Sequence, residues 1–235
     1  MPYTQEDFQR DYAEMCRLAL PAKPDDPFKM VQWEMARSHK AFIEYWIQIE
    51  KQFDSSAPIN DTENYLQFAL EWIRVIEIHH TLEEEVQFTI WSAVISNSVT
   101  RDREEHVAFF ATLEPFKAYL SAVLTDPSAN PWDPIIARTL SIAFVPLLMN
   151  HFVGELYPLE ASNLLSSGLE LDTIANTFKD VAVRGKEIMD VFREVPAMME
   201  FNGGAKDWPP LPSDVMERYE EIYKVHEGWW KYSKL

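Results

Sequence analysis

The chain alternates long segments of helical hydrophobic period with short breaks rich in proline, aspartate and serine. Apolar residues recurring every three or four positions mark one face of a helix. Residues 4–19 form the first such segment, and the run LPAKPDDP at 20–27 ends it, because proline removes a donor and fixes φ. The second spans 28–53, with Phe28, Val31, Met35, Phe42, Trp46 and Ile49 on its stripe. SSAPIND then turns the chain, and Asp61 is placed to cap the next helix. That helix is predicted over 62–95, with Tyr65, Phe68, Trp72, Ile76, Val86 and Ile90 facing inward. Another covers 100–124, with Phe109, Phe110, Leu113, Phe116 and Leu120 inside, and Pro115 should kink or break it. After the loop TDPSANPWDP a helix starts near Pro134 and carries Phe144 and Leu148; Pro146 should bend it. A last long helix covers 171–195, and from Phe201 a tail with WPPLP and a terminal HEGWW reads as a strap.

This pattern predicts an all-α fold: an antiparallel four-helix bundle with extra N-terminal and C-terminal helices, the short connections making neighbours antiparallel. The expected organisation is an N-terminal helix and linker at 1–27, the bundle at 28–163, and a C-terminal helix and tail at 164–235. Only six glycines in 235 residues argue in the same direction, against a turn-rich β protein. The formal charge of −17 disfavours nucleic acid and anionic membranes as partners. No run approaches 18 uncharged apolar residues, so no membrane span is expected. The polar, acidic start and the single Cys16 point to a cytoplasmic, reducing setting. One cysteine cannot build a thiolate metal site, so any metal would be held by nitrogen and oxygen.

Five of the six histidines fall inside these helical segments: His39, His79, His80, His106 and His151. Glu83 follows His79 by four residues, and Glu155 follows His151 by four. Positions i and i+4 share a helix face, so each pair aims an imidazole and a carboxylate at one point. Taken singly, each is as well explained by a core histidine or a surface contact. Taken together they give each of four helices a ligand set, the arrangement that holds two metal ions in a bundle core. Four imidazoles (His39, His79, His106, His151) and two carboxylates (Glu83, Glu155) supply two nitrogens per ion and two groups able to bridge. The set suits iron and can take manganese or zinc. The stretch around His79 admits two frames, His79/Glu83 or His80/Glu84; the apolar stripe through Trp72, Ile76 and Ile90 favours the first, with His80 a further ligand, a neighbouring donor or a flank residue.

SHKAFIEYW around His39, EWIRVIEIHHTLEEEVQF around His79, REEHVAFFATLEPFKAYL around His106 and AFVPLLMNHFVGELYPLE around His151 resemble the hemerythrin-like, HHE cation-binding family, most closely its fungal members. The resemblance spans roughly residues 28–163. It implies a non-haem diiron centre with His39, His79, His106 and His151 as terminal ligands and Glu83 and Glu155 as bridges. The chain departs from the pattern at Phe110, where the oxygen carriers have a second histidine, and at Thr89, where a proline is common. Losing that histidine opens a coordination position beside Phe110 unless His80 compensates, and an open position leans towards oxidative chemistry. The first functional expectation is therefore an O2-dependent diiron oxidoreductase acting on a small apolar molecule. The second is an O2- or iron-binding carrier, sensor or store, and the third an interaction protein without metal.

Overall fold

The computed structural model describes residues 3–205 and 207–234, and no strand occurs among them. The helices in chain order are α1 (Gln5–Ala19), α2 (Pro27–Lys51), the single turn α3 (Ala57–Asn60), α4 (Thr62–Leu82), a π turn (Glu83–Gln87), α5 (Phe88–Trp91), α6 (Ser96–Thr125), α7 (Pro134–Leu156), α8 (Ala161–Ser166), α9 (Leu171–Ile188) and α10 (Glu194–Glu200). The tail adds α11 (Ser213–Glu217), α12 (Tyr219–Val225), α13 (Glu227–Trp230) and a 3₁₀ turn (Lys231–Lys234).

Local chemistry accounts for the ends. Thr4 and Asp7 form a reciprocal capping box on α1, Thr4 Oγ1 accepting from the Asp7 amide at 3.2 Å and Asp7 accepting from the Thr4 amide at 2.9 Å. Asp133 caps α7, accepting from the Ile135 amide at 2.7 Å, with Pro134 at the first helical position. Asp61 precedes α4, but its carboxylate takes the Asn64 side-chain amide, the Tyr232 hydroxyl and Lys231 instead of the expected backbone cap. Pro115 and Pro146 both lie inside continuous helices, so neither breaks its element.

Two predicted helices are divided. The segment expected over 62–95 is α-helical to Leu82, widens to a π turn over Glu83–Gln87, and closes with α5. The Thr89 hydroxyl donates to the Glu84 and Glu85 carbonyls at 3.3 and 3.2 Å, serving carbonyls of the wider turn. The segment expected over 171–195 stops at Ile188, where the Asp190 carboxylate takes the Phe192 amide and starts a separate turn. By length and composition α6 and α7 are apolar enough to cross a membrane, although the sequence contains no such uncharged run.

The chain forms two compact units, and α2, α4, α6 and α7 each lend residues to both. The first comprises the residues up to Lys40, Ile78–Ala111 and Ala143–Ile188. Within it Trp33 donates its indole N–H to Pro21 O at 2.8 Å, and Gln32 donates to Leu156 O at 2.8 Å. Helix α9 packs on the π turn, with Arg184 paired to Glu85 at 2.7 Å. Phe88, Phe109, Phe144 and Phe152 are fully buried there.

The second unit comprises Ala41–Glu77, Thr112–Ile142 and the residues from Met189 on. Its core is aromatic, and several of its buried polar tips are satisfied by backbone. Tyr45 OH donates to Phe68 O at 2.7 Å, Tyr65 OH to Ile49 O at 2.9 Å, Trp72 Nε1 to Phe42 O at 2.8 Å, and Trp132 Nε1 to Phe53 O at 3.0 Å. The tail contributes to this core: Trp208, Trp230 and Tyr232 are buried, and Tyr232 meets Tyr65 edge-on at 5.5 Å. Glu71, wholly buried, pairs with Arg193 at 2.7 Å, and the buried Glu194 pairs with Arg74.

Burial pushes the Glu71 carboxyl up to about 8, against the pull of Arg193. A carboxyl raised in the folded state stabilises fully below its unfolded value and loses that contribution as pH rises through the folded value. Glu71 is therefore expected to lower stability by about 1.4 kcal/mol per pH unit over that window. Thermal melts at about pH 5 and about pH 8 check this: Glu71→Gln should flatten the difference between them, and an unchanged difference would exclude the role.

Candidate metal centre

All the histidines singled out in the helical segments converge in the first unit. His39 comes from α2, His79 and His80 from the end of α4, His106 from α6 and His151 from α7; Glu83 opens the π turn and Glu155 follows on α7. All are buried except His79, whose side chain is 14% exposed. Two donor groups form, each gathered within 4.8 Å: His80, Glu83, His106 and His151, and His39, His79, Glu83 and Glu155. Glu83 belongs to both. Glu155 also reaches both, with Oε2 lying 3.4 Å from His39 Nε2 and 3.8 Å from His151 Nε2.

The ring nitrogens show why the cluster could hold a cation. His39 Nδ1 lies 2.9 Å from the Phe152 carbonyl, which can only accept, so the ring proton sits on Nδ1 and Nε2 is bare. His106 Nδ1 faces Glu84 Oε1 at 2.9 Å, and His151 Nδ1 faces Glu105 Oε2 at 3.0 Å, which fixes the same tautomer in both neutral rings. The Nε2 atoms then point at one another: His106 to His151 at 3.1 Å, His80 to His151 at 3.3 Å, and His39 to His79 at 3.2 Å. Between His106 and His151 both facing nitrogens are bare, and lone pairs at this range repel; in the other two pairs the tautomer of His79 or His80 decides which nitrogen donates. Two ligands about 2.1 Å from one cation stand about 3.0 Å apart at right angles and about 3.4 Å apart at the tetrahedral angle, and the observed separations fall in that interval.

The carboxylates carry the same message. None of the four oxygens of Glu83 and Glu155 accepts a hydrogen bond, although all are buried. Glu83 Oε1 lies 2.9 Å from His79 Nε2, close enough for attraction but not aligned as a hydrogen bond. An orphaned buried carboxylate costs several kcal/mol, on the order of the penalty for an unpaired polar or ionic group, and a dication offsets it. The donors thus fit a pair of metal ions held by imidazole nitrogen and carboxylate oxygen.

The electrostatics follow from burial. Desolvation, reinforced by the neighbouring rings, holds His39 and His80 well below the usual imidazole value, and burial takes His106 down to about 3. Burial is the largest single influence on Glu83 and raises it, but His79, His106 and His151 together outweigh it and leave it below the usual carboxylate value. Glu155 is driven well above that value, by burial first and the Glu83 charge second.

Several placements differ from the sequence expectations. Five imidazoles converge instead of four, and they divide three and two rather than evenly. The π turn brings His79, His80 and Glu83 to bear together, so neither helix-2 frame stands alone. Glu84 is not in either donor group; it is half-exposed and holds His106 from outside while pairing with Arg103 at 2.9 Å. Phe110 lies half-buried with its ring edge-on to His80 at 5.2 Å. Glu105 and Arg101, not foreseen, back His151 in the same way that Glu84 and Arg103 back His106. The sequence signal was the run REEH, which reads equally well as a solvated face. A third acidic group, Asp102 with Glu105 and His151, already has a cation in Arg101, which reaches Asp102 at 2.5 Å and also donates to Gly154 O at 3.2 Å.

Protons displace a metal from an imidazole only where they can occupy the nitrogen. With His39, His80 and His106 all lowered, the cluster should retain metal to a pH well below the ordinary histidine value of 6.5. Equilibrium dialysis against cobalt(II) from about pH 4 to about pH 7 measures the release midpoint, and a midpoint at or above the ordinary value would contradict the burial argument.

No protein-family model matches this chain, and neither does any curated protein or any solved structure. The donor geometry carries the functional reading by itself.

Proposed function

We propose that this chain is a hemerythrin-like protein: a four-helix bundle of α2, α4, α6 and α7 that holds two iron ions and binds O2 as a carrier, sensor or store. The observation that carries the reading is the pair of donor groups sharing Glu83, with every imidazole in a tautomer or position that leaves Nε2 aimed inward. Two irons, when bound, would supply the electrons that O2 chemistry needs. The chain's own residues do the rest. Glu83 and Glu155 neutralise part of the charge and can span both ions. Phe88 stacks on His106 at 5.5 Å and Phe152 on His39 at 4.0 Å, so apolar rings exclude water and fix the ligand planes. His79, the one partly exposed ligand, marks the side from which a diatomic ligand can enter.

The presence of His80 moves the balance between the two main expectations. A coordination position left open beside Phe110 would favour oxidation, but the His80 ring stands edge-on to Phe110 at 5.2 Å with Nε2 3.3 Å from His151 Nε2, where it can serve as a further ligand. Three imidazoles on one side and two on the other suit a saturated ion next to an open one, which is what binding without substrate oxidation requires. Oxidation of a small apolar molecule remains the second reading, favoured by the aromatic wall of Phe109 and Phe110 beside His80 at 5.9 and 5.2 Å.

Anaerobic loading with ferrous iron, then gel filtration and iron analysis, tests the reading. About two ions per chain are expected, with visible absorption that appears under O2 and fades under argon. Glu83→Gln removes the shared carboxylate and should cut retained iron to about half or less. A chain that retains no iron, or absorption that is unchanged by O2, overturns the proposal. Irreversible bleaching with consumption of an added apolar substrate would favour the second reading.

A further inference from the structure

The two donor groups are not equivalent, and the difference lies outside the ligands. In the group of His80, His106 and His151, two of three rings hydrogen-bond through Nδ1 to carboxylates. His106 is backed by Glu84 and then Arg103, and His151 by Glu105 and then Arg101 at 3.5 Å. In the other group His39 is backed by a neutral carbonyl, Phe152 O. An anionic partner on Nδ1 raises the donor strength of Nε2, and such partners are typically worth 10–100-fold in metal affinity. The carboxylates divide unevenly: Glu83 is common to both groups, whereas Glu155 completes only the His39–His79 group, its Oε2 lying 3.4 Å from His39 Nε2 and 3.8 Å from His151 Nε2. What distinguishes the groups is three imidazoles and one carboxylate against two of each, carboxylate backing of His106 and His151 against carbonyl backing of His39, and burial against the partial exposure of His79.

We infer that Glu84 and Glu105 are positioning residues that make the His80–His106–His151 group the first of two cation positions to fill, while the His39–His79 position fills second and exchanges with solution. The inference rests on the dinuclear reading above. It predicts ordered loading, and with it the capacity to hold two different metals, a nitrogen-preferring ion such as zinc or ferrous iron in the first position and a more oxygen-tolerant one such as manganese in the second. Glu84 and Glu105 each expose 36% of the side chain, so replacing either leaves the core intact.

The test is a cobalt(II) titration of full-length, chelator-stripped protein, followed by calorimetry and by ligand-field absorption. Wild type should bind in two steps about tenfold or more apart, each with its own spectrum. Glu84→Gln and Glu105→Gln, which keep an acceptor oxygen but remove the charge, should each weaken the first step by about 10–100-fold, shift its absorption, and leave the second within about threefold. His79→Ala should remove the second step alone. Thermal melts of the stripped proteins check that each variant folds, and either glutamate variant suffices if the other does not. Two steps weakened alike, no change in either glutamate variant, or a single step for two equal ions overturns the inference while the dinuclear reading stands. Wild-type protein that binds no cobalt overturns both.

Discussion

Crowding of electron pairs among buried side chains is the constraint on which the first unit rests. Imidazole nitrogens face one another at 3.1–3.3 Å, those of His106 and His151 both bare, and two carboxylates lie among them without a hydrogen-bond donor. Each of these groups would be stable in water. Buried together they raise the free energy of the fold unless something positive shares them. Apolar packing around Phe88, Phe109, Phe144 and Phe152 supplies the opposing stabilisation that keeps the helices together. The site and the core are thus two sides of one balance, and the balance tips on the arrival of charge.

The net charge of the chain works in the same direction at longer range. A formal charge of −17 spread over the surface draws cations from solution. Arg101 and Arg103 interrupt that field near α6, each standing behind a glutamate that stands behind a ligand. The arginines steady the glutamates without reaching the donor nitrogens, so the local field at the cluster remains that of carboxylates and lone pairs.

Sequence periodicity revealed the helices well, because a 3.6-residue apolar stripe is a direct record of which face is buried. It also placed His39, His106 and His151 inside the stripes, where the structure has them. It did not show that His79 and His80 aim at the cluster together, since that depends on the π turn at Glu83–Gln87, and a change of hydrogen-bond register leaves no trace in hydrophobic spacing. Glu105 was invisible for a different reason. A charged residue beside a ligand in the run REEH is indistinguishable from a solvated one until the neighbouring helix is in place. The helix boundary at Ile188 was missed because Asp190 competes locally for a backbone amide, and a stripe of apolar residues does not register that competition.

His39 reaches across the fold to the main chain of residue 152, the neighbour of another ligand. The acceptor there is a peptide oxygen, which every amino acid carries. Mutation at 152 can strip away the stacked ring but cannot delete the oxygen. Only insertion or deletion within α7, by rotating the helix, would take it away. The anchor is therefore indifferent to spelling and sensitive to counting: a change of letter at that position costs the packed ring but keeps the acceptor, while its place in the count along α7 stays locked.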